Sequence, residues 1–339
     1  MKPFHDLTHR GQGRRLRPHA VRALAAFGVR PVRLRQLTAA TNVVFRVDAA
    51  DARRLVLRMT APKSAHSIEN ARAEIAWLRA LHAVPAIGVP APVPAKDGEF
   101  VHPLNAPDLP GTWHCTLYGW LPGVMLSERL TPPNLTRHGA LAARLHSHGE
   151  RFVPPDGSGI RTYDSPFPYS DPSFPNPEPI VLFDRCPYDL MPPDRVAVFR
   201  AACDRVRAAI DHLFDTRTPH VIHNDLHLWN VLVTRDRVYA LDFEDLLLGH
   251  PIQDLATTLY YYRYRDDGAA LLSAFRDGYV AVRPWPEERD GQLETLIVGR
   301  NILLANFVAA SQDAADRTFA PEYLARTERR LRQFLAAPV

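Results

Sequence analysis

Cysteine is scarce: Cys115, Cys186 and Cys203 are the only three, far apart and without C-x-x-C spacing. An odd number so placed excludes a disulfide scaffold and a thiolate metal site, and it fits a reducing compartment. Cys203 falls on the apolar stripe of a predicted helix, where it reads as a small core residue. Glycine is missing where common nucleotide folds need it. Neither G-x-G-x-x-G nor G-x-x-x-x-G-K follows a strand-like run, which excludes Rossmann and P-loop sites. The N-terminus MKPFHDLTHRGQGRR has no apolar centre, so no secretory signal is expected. The longest apolar stretch, 296–310, is broken by Arg300, Asn301 and Asn306, so no membrane span is expected either. Charge of one sign is not in excess: 41 Lys+Arg against 37 Asp+Glu leave a net +4. The basic residues are scattered and make no nucleic-acid footprint. Their clearest cluster, Arg10 to Arg17, reads as part of a solvated tail.

What is present is an ordinary globular composition, 46% hydrophobic and 23% charged in 339 residues. That length suits two lobes, since single cores rarely grow past roughly 250–300 residues. In the first half, Ala20–Phe27 carries Val21, Leu24 and Phe27 at helical spacing and stops at Gly28. Strand-like runs follow at 32–37, 43–47 and 55–59, then a helix at 68–82 and strand signals at 99–101 and 113–120. The second half reads as helical, with helices expected at 134–148, 194–214, 293–311 and 322–335. Between them, 153–193 is too rich in proline for helix or central strand and is expected to be a long loop.

The chemistry concentrates in Pro219–Asp245, PHVIHNDLHLWNVLVTRDRVYALDFED. A short apolar strand leads into a polar cluster, and two β-rich runs, 231–233 and 238–241, flank the short loop Thr234–Arg237. A hairpin there brings Asn230 and Asp242 side by side at its open end, with Asp225 on the loop feeding into it. Oxygen donors of this kind suit Mg²⁺, which shares its shell with waters and substrate phosphates. A further carboxylate can accept a proton from an attacking hydroxyl, and these are the parts that phosphoryl transfer requires. A rival reading takes His223, Asp225 and His227 as alternating on a strand and, with His220, holding Zn²⁺. It leaves Asn230 and Asp242 without a role.

His223-x-Asp225, Asn230 and Asp242-Phe243-Glu244 resemble the catalytic and metal-binding loops of the aminoglycoside phosphotransferase and choline kinase family. That resemblance implies an α+β, protein-kinase-like bilobal fold with a small antiparallel-sheet lobe and a mostly helical lobe. The expected division is a tail at 1–19, a nucleotide-binding lobe at 20–120 and a catalytic, acceptor-binding lobe at 121–339. It implies ATP and Mg²⁺ as cofactors, with the nucleotide between the lobes. Asp225 would be the catalytic base, His223 a brace for the loop, and Asn230 and Asp242 the metal ligands. Arg58 and Glu74 would order the phosphates, with Glu69 as fallback partner for Arg58. Thr38, Thr41 and Asn42 would offer phosphate donors, and the backbone of Leu117 to Gly119 would meet the adenine. Glu244 and Asp245 would contact the acceptor, as would Tyr163, Tyr169, Asp171 and Phe174. His146 and Asp254 read as structural, and Tyr260 to Tyr264 as core plus surface rather than an aromatic cage.

Two features depart from the protein-kinase pattern. Arginine stands at position 58 where lysine is usual, with the same charge and a wider, forked reach. No glycine-rich loop covers the phosphates. The expected enzyme moves the γ-phosphate of ATP to a hydroxyl of a small molecule, in the cytoplasm, as a monomer or homodimer, without nucleic-acid or membrane partners. A Ser/Thr protein kinase of the bacterial stress-response type and a nucleotide-binding pseudokinase are the alternatives.

Overall fold

The computed structural model describes residues 4, 7–39, 42–62, 66–186, 190–311 and 313–337. The chain forms two compact units: Met1–Val124 with Val153–Ile160 and Leu232–Glu244, and Met125–Phe152 with Arg161–Val231 and Asp245–Val339. Two short segments, 153–160 and the hairpin 232–244, thus join the first unit although they lie late in the sequence.

The first unit is built on helix α1 (His9–Ala26), strands β1 (Pro31–Ala39), β2 (Asn42–Ala49) and β3 (Arg54–Thr60), helix α2 (Ile68–His82), and strands β4 (Val101–Leu104) and β5 (Trp113–Gly119). The strands form one antiparallel sheet in the order β1-β2-β3-β5-β4. Alternation along β2 sends Val43, Phe45 and Val47 into the core, where they meet Leu57, Met59 and Leu117. Ser67 caps α2 by accepting from the Asn70 N–H at 3.2 Å, and Glu69 in the first turn complements the helix dipole.

The expected tail is wrong. Helix begins at His9, capped by the Thr8 hydroxyl, so the arginine-rich stretch is helical. Leu16 and Ala20 are fully buried with Ala23, Leu24 and Phe27, whereas Val21, placed on the apolar stripe from spacing, is 44% exposed. Leu16 is the single large apolar anchor among the four arginines of 10–17, and burying one leucine contributes about 1.5–3 kcal/mol. Arg17 adds a hydrogen bond to the Leu34 carbonyl at 2.9 Å.

The other unit is mostly helical: α3 (Pro132–Gly149), α4 (Pro193–Thr216), α5 (Pro251–Arg263), α6 (Gly268–Val280), α7 (Gln292–Ala310) and α8 (Ala314–Ala336). Gly139 and Gly278 let α3 and α6 approach closely. A Cβ on Gly139 would collide with the Phe275 carbonyl, and one on Gly278 with the Thr136 carbonyl. Strand β6 (Val124–Met125) precedes these helices, and β7 (His220–Ile222) pairs antiparallel with β10 (Leu247–Gly249). A small sheet has the order β6-β8-β9, with β8 Val231–Val233 and β9 Val238–Ala240. The long 161–186 stretch lacks helices and strands yet is packed, with Tyr163, Phe167, Tyr169 and Leu182 buried. Tyr262 is fully buried and Tyr264 is 36% exposed, the core-plus-surface split that helical geometry requires. By length and composition α7 could cross a membrane, but 67% of its apolar window is buried inside the fold.

Candidate active site

The loop between β7 and β8 is held from below by one buried carboxylate. Asp254, in the first turn of α5, accepts the Asn224 N–H at 2.8 Å and the His223 N–H at 3.1 Å. Its Oδ2 also meets His146 Nε2 at 3.0 Å, and His146 Nδ1 lies 2.8 Å from the Tyr279 hydroxyl. Burial favours the neutral acid, yet His146, His223 and the backbone donor hold Asp254 below the usual carboxylate range. Both residues read as structural therefore serve as anchors. Asn224 sits at φ +62°, a left-handed conformation that asparagine tolerates better than most residues. Its Nδ2 donates to the Tyr169 hydroxyl at 2.8 Å, which ties the proline-rich segment to the loop.

This geometry presents Asp225. Its Oδ2 accepts from Asn230 Nδ2 at 2.9 Å, and its Oδ1 from Arg300 Nη2 at 2.8 Å. His223, the expected brace, accepts the Asp225 N–H through Nδ1 at 3.2 Å. Burial opposes the charge on Arg300, but Tyr261 and Asp225 outweigh it and raise its pKa above the usual arginine value. The same Nη2 reaches the Tyr261 hydroxyl at 3.2 Å. Rings of His227, Trp229 and Tyr261 meet edge to face at centroid separations of 5.4, 4.9 and 5.5 Å. Trp229 is 52% exposed, an apolar surface beside the carboxylate. His227 lies 3.4 Å from Asp225 Oδ2, and burial, helped by the charge of Arg300, brings its pKa down to about 4.

The zinc reading fails on geometry. β7 ends at Ile222, so His223, Asp225 and His227 do not alternate on a strand. Among the described residues no three His, Cys, Asp or Glu side chains are grouped to hold a metal. Mg²⁺ needs a different donor set. Asn230 uses its amide nitrogen on Asp225, which leaves its carbonyl oxygen for a hard cation.

In the first unit a second group forms around Arg58, which stands on β3 opposite Val44 and Thr116. Arg58 makes a forked pair with Glu74 of α2, which also accepts from the Tyr118 hydroxyl at 3.1 Å. Glu244 Oε2 lies 3.5 Å and Asp242 Oδ1 3.7 Å from Arg58 Nη1. Asn42 donates to Glu244 at 2.5 Å. Burial works against the Arg58 charge, but Glu74, Tyr118 and Glu244 hold its pKa well above the usual value. Asp242 is at φ +60° and 47% exposed on its side chain, whereas Glu244 is buried.

Glu74, not Glu69, is thus the partner of Arg58. Glu244, expected at the acceptor, is bound up with Asn42 and Arg58, and Asp245 lies in the other unit, its carbonyl accepting from Tyr169 at 3.3 Å. Asp171 caps its own turn through the Ser173 N–H. Thr41 lies outside the described residues. At Leu117 and Gly119, the expected adenine contact, the Leu117 carbonyl accepts from the Val93 N–H at 2.8 Å and the Gly119 N–H donates to the Ala91 carbonyl at 2.9 Å. Sequence spacing gave no sign of Arg300, Tyr261 or Tyr118 as members of these groups.

A family model described as the phosphotransferase enzyme family matches residues 33–290. The chain belongs to that family. No curated protein sequence matches it. Among solved structures, a microcompartment-associated aminopropanol kinase superposes with a TM-score of 0.79 at 23% identity, over 94% of this chain and 97% of that one. An amicoumacin kinase in complex with AMP-PNP, Ca²⁺ and Ami gives 0.68 at 19%, over 96% and 100%. A spectinomycin phosphotransferase in complex with ADP and its antibiotic gives 0.57 at 13%, over 91% and 97%. This phosphotransferase therefore has the kinase-like fold, an antiparallel sheet followed by a helical part.

Proposed function

We propose that this phosphotransferase uses Mg²⁺ with ATP and phosphorylates a compact hydroxylated molecule, with amino alcohols the first class to test. The observation that carries the reading is the Asp225 carboxylate, fixed on both oxygens by Arg300 and Asn230 and flanked by an exposed aromatic surface. In a loose phosphoryl-transfer transition state the base has little covalent work, so orienting the acceptor hydroxyl matters more than strong basicity. A carboxylate already paired with an arginine suits that task. Trp229 and Tyr261 offer ring faces for a small acceptor, and a neighbour in fold is named an aminopropanol kinase. Asn230 and Asp242 are the proposed Mg²⁺ ligands; when bound, the ion would neutralise charge on the phosphates. Arg58 with Glu74 is the proposed phosphate-ordering pair, and Asn42 acts by holding Glu244. The enzyme is proposed to work in the cytoplasm, as a monomer or homodimer, with no nucleic-acid or membrane partner.

The test is ADP release with ATP and Mg²⁺ across amino alcohols, polyols, aminoglycosides and serine-bearing proteins. Turnover with small alcohols and none with proteins is expected. Phosphate transfer only to protein serines would contradict the reading.

A further inference from the structure

The proline-rich stretch 161–186 is fixed to the helical unit at both ends. At its start the Tyr163 N–H donates to the Leu248 carbonyl at 2.8 Å and the Leu248 N–H to the Arg161 carbonyl at 2.9 Å, which lays the stretch parallel to β10. Gln253 of α5, itself buried, donates through Nε2 to the Tyr163 carbonyl at 2.7 Å. Near the far end Asn306 of α7 accepts the Val181 N–H at 2.8 Å and donates to the Pro179 carbonyl at 2.9 Å.

Between these anchors Tyr169 is buried. Its carbonyl accepts from the Glu178 N–H at 2.9 Å, and the Arg161 guanidinium stands 5.7 Å from its ring and 5.1 Å from that of Phe174. The ring is thus held without help from its hydroxyl. That hydroxyl accepts from Asn224 Nδ2 at 2.8 Å and donates to the Asp245 carbonyl at 3.3 Å. Burial, with Asp245 pushing the same way, holds its pKa well above the usual phenol value, so it stays protonated and can play both parts. It bridges the loop between β7 and β8 to the chain just before β10. Asn224 is buried, sits at φ +62° and directly precedes Asp225. Such a conformation persists where the surroundings enforce it. Asp254 takes the Asn224 N–H and Tyr169 takes the side-chain amide, so two separate elements grip one residue.

We infer that Tyr169 is a positioning residue for Asp225: its hydroxyl fixes the Asn224 side chain and so the backbone direction from which Asp225 presents its carboxylate. Expected among the acceptor contacts, Tyr169 instead commits its hydroxyl to the protein. Arg300 and Asn230 hold the two carboxylate oxygens, whereas Tyr169 acts on the main chain that carries them. Orientation of reacting groups is worth large factors in rate, so a small displacement of the group that orients the acceptor is felt in kcat. The effect on turnover rests on the kinase reading; the hold of the bridge on the loop does not.

The test uses the full chain with two variants. Tyr169→Phe keeps the ring and removes the hydroxyl; Asn224→Gly keeps the left-handed backbone accessible and removes the amide. Hydrogen exchange read by mass spectrometry needs no substrate. Tyr169→Phe should speed exchange of the 223–230 amides by about tenfold or more and leave those of α3 and α8 unchanged. Turnover is read with ATP, Mg²⁺ and the amino alcohol best accepted by the unmodified chain. Each variant should lower kcat on the order of tenfold, with KM for ATP and for the acceptor held within about threefold. The double variant should fall no further than the worse single one, the mark of two groups acting through one bond. Should Asn224→Gly fail to fold, Tyr169→Phe alone decides. Unchanged exchange across 223–230 in Tyr169→Phe, kcat retained by that variant, full additivity in the double variant, or a raised acceptor KM at constant kcat would each overturn the proposal. Faster exchange in a chain that turns over no acceptor would leave Tyr169 in this role and sink the kinase reading alone.

Discussion

Two buried arginines anchor the two functional groups of this chain, and they stand in opposite electrostatic settings. Arg58 faces three carboxylates, Glu74, Glu244 and Asp242, within 4 Å. Arg300 pairs with one, Asp225. The first group holds surplus negative charge, which is the setting for a further cation before a triphosphate can approach. The second is neutral as a pair, with His227 uncharged at physiological pH, which suits a group that orients an uncharged hydroxyl. Similar residues thus stand in different local charge balances.

The comparison can be broken most severely at Arg58. Arg58→Met leaves Glu74 and Glu244 buried without their cation, and breaking a buried pair costs about 3–5 kcal/mol. Chemical denaturation should show that loss, with KM for ATP raised in whatever protein folds. At the neutral group, Arg300→Met should lower kcat on the order of 100-fold, roughly 2.7 kcal/mol, by freeing the Asp225 carboxylate from its orientation. ATP-analogue affinity should hold within threefold, and Arg300→Lys should recover part of the rate.

Acid acts on buried histidines inside and outside these groups. His114, His138 and His250 have pKa values lowered to about 4, 3 and 4, with burial the leading cause in each. Their unfolded forms take up protons near pH 6.5 while the folded forms do not. Stability is therefore full above pH 6.5 and falls between about 6.5 and 3, by several kcal/mol in aggregate, because each tenfold loss of proton affinity on folding is worth about 1.4 kcal/mol. Thermal melts from pH 7.5 to 4.5 would hold Tm level above about pH 6.5 and lower it progressively below; a flat profile throughout would contradict it. The smallest effect belongs to Trp229→Ala. Acceptor KM should rise a few-fold, and an exposed side chain costs within about 0.5 kcal/mol of stability.

The polar loop between β7 and β8 was legible because its residues interrupt β-rich runs, and the Arg58–Glu74 pair because a charge stands out on an apolar strand. Arg300 was visible only as a charge breaking an apolar run, 75 residues from its partner. Linear spacing carries no record of such a contact. The part of α1 before Ala20 escaped notice because arginines and Pro18 left Leu16 as its one large apolar residue. Strand β10 was hidden in a leucine run that has no periodicity to separate strand from turn. The pairing of Leu117 and Gly119 with 91–93 was not legible because backbone hydrogen bonds leave no trace in side-chain identity.

Asp225→Ala, assayed for turnover and for ATP-analogue binding in the same preparation, addresses the division of labour directly. Turnover should fall at least 1,000-fold, about 4 kcal/mol, with nucleotide affinity unchanged within threefold. Parallel loss of both, or retained turnover, would show that the Arg300-bound carboxylate is not the group that orients the acceptor.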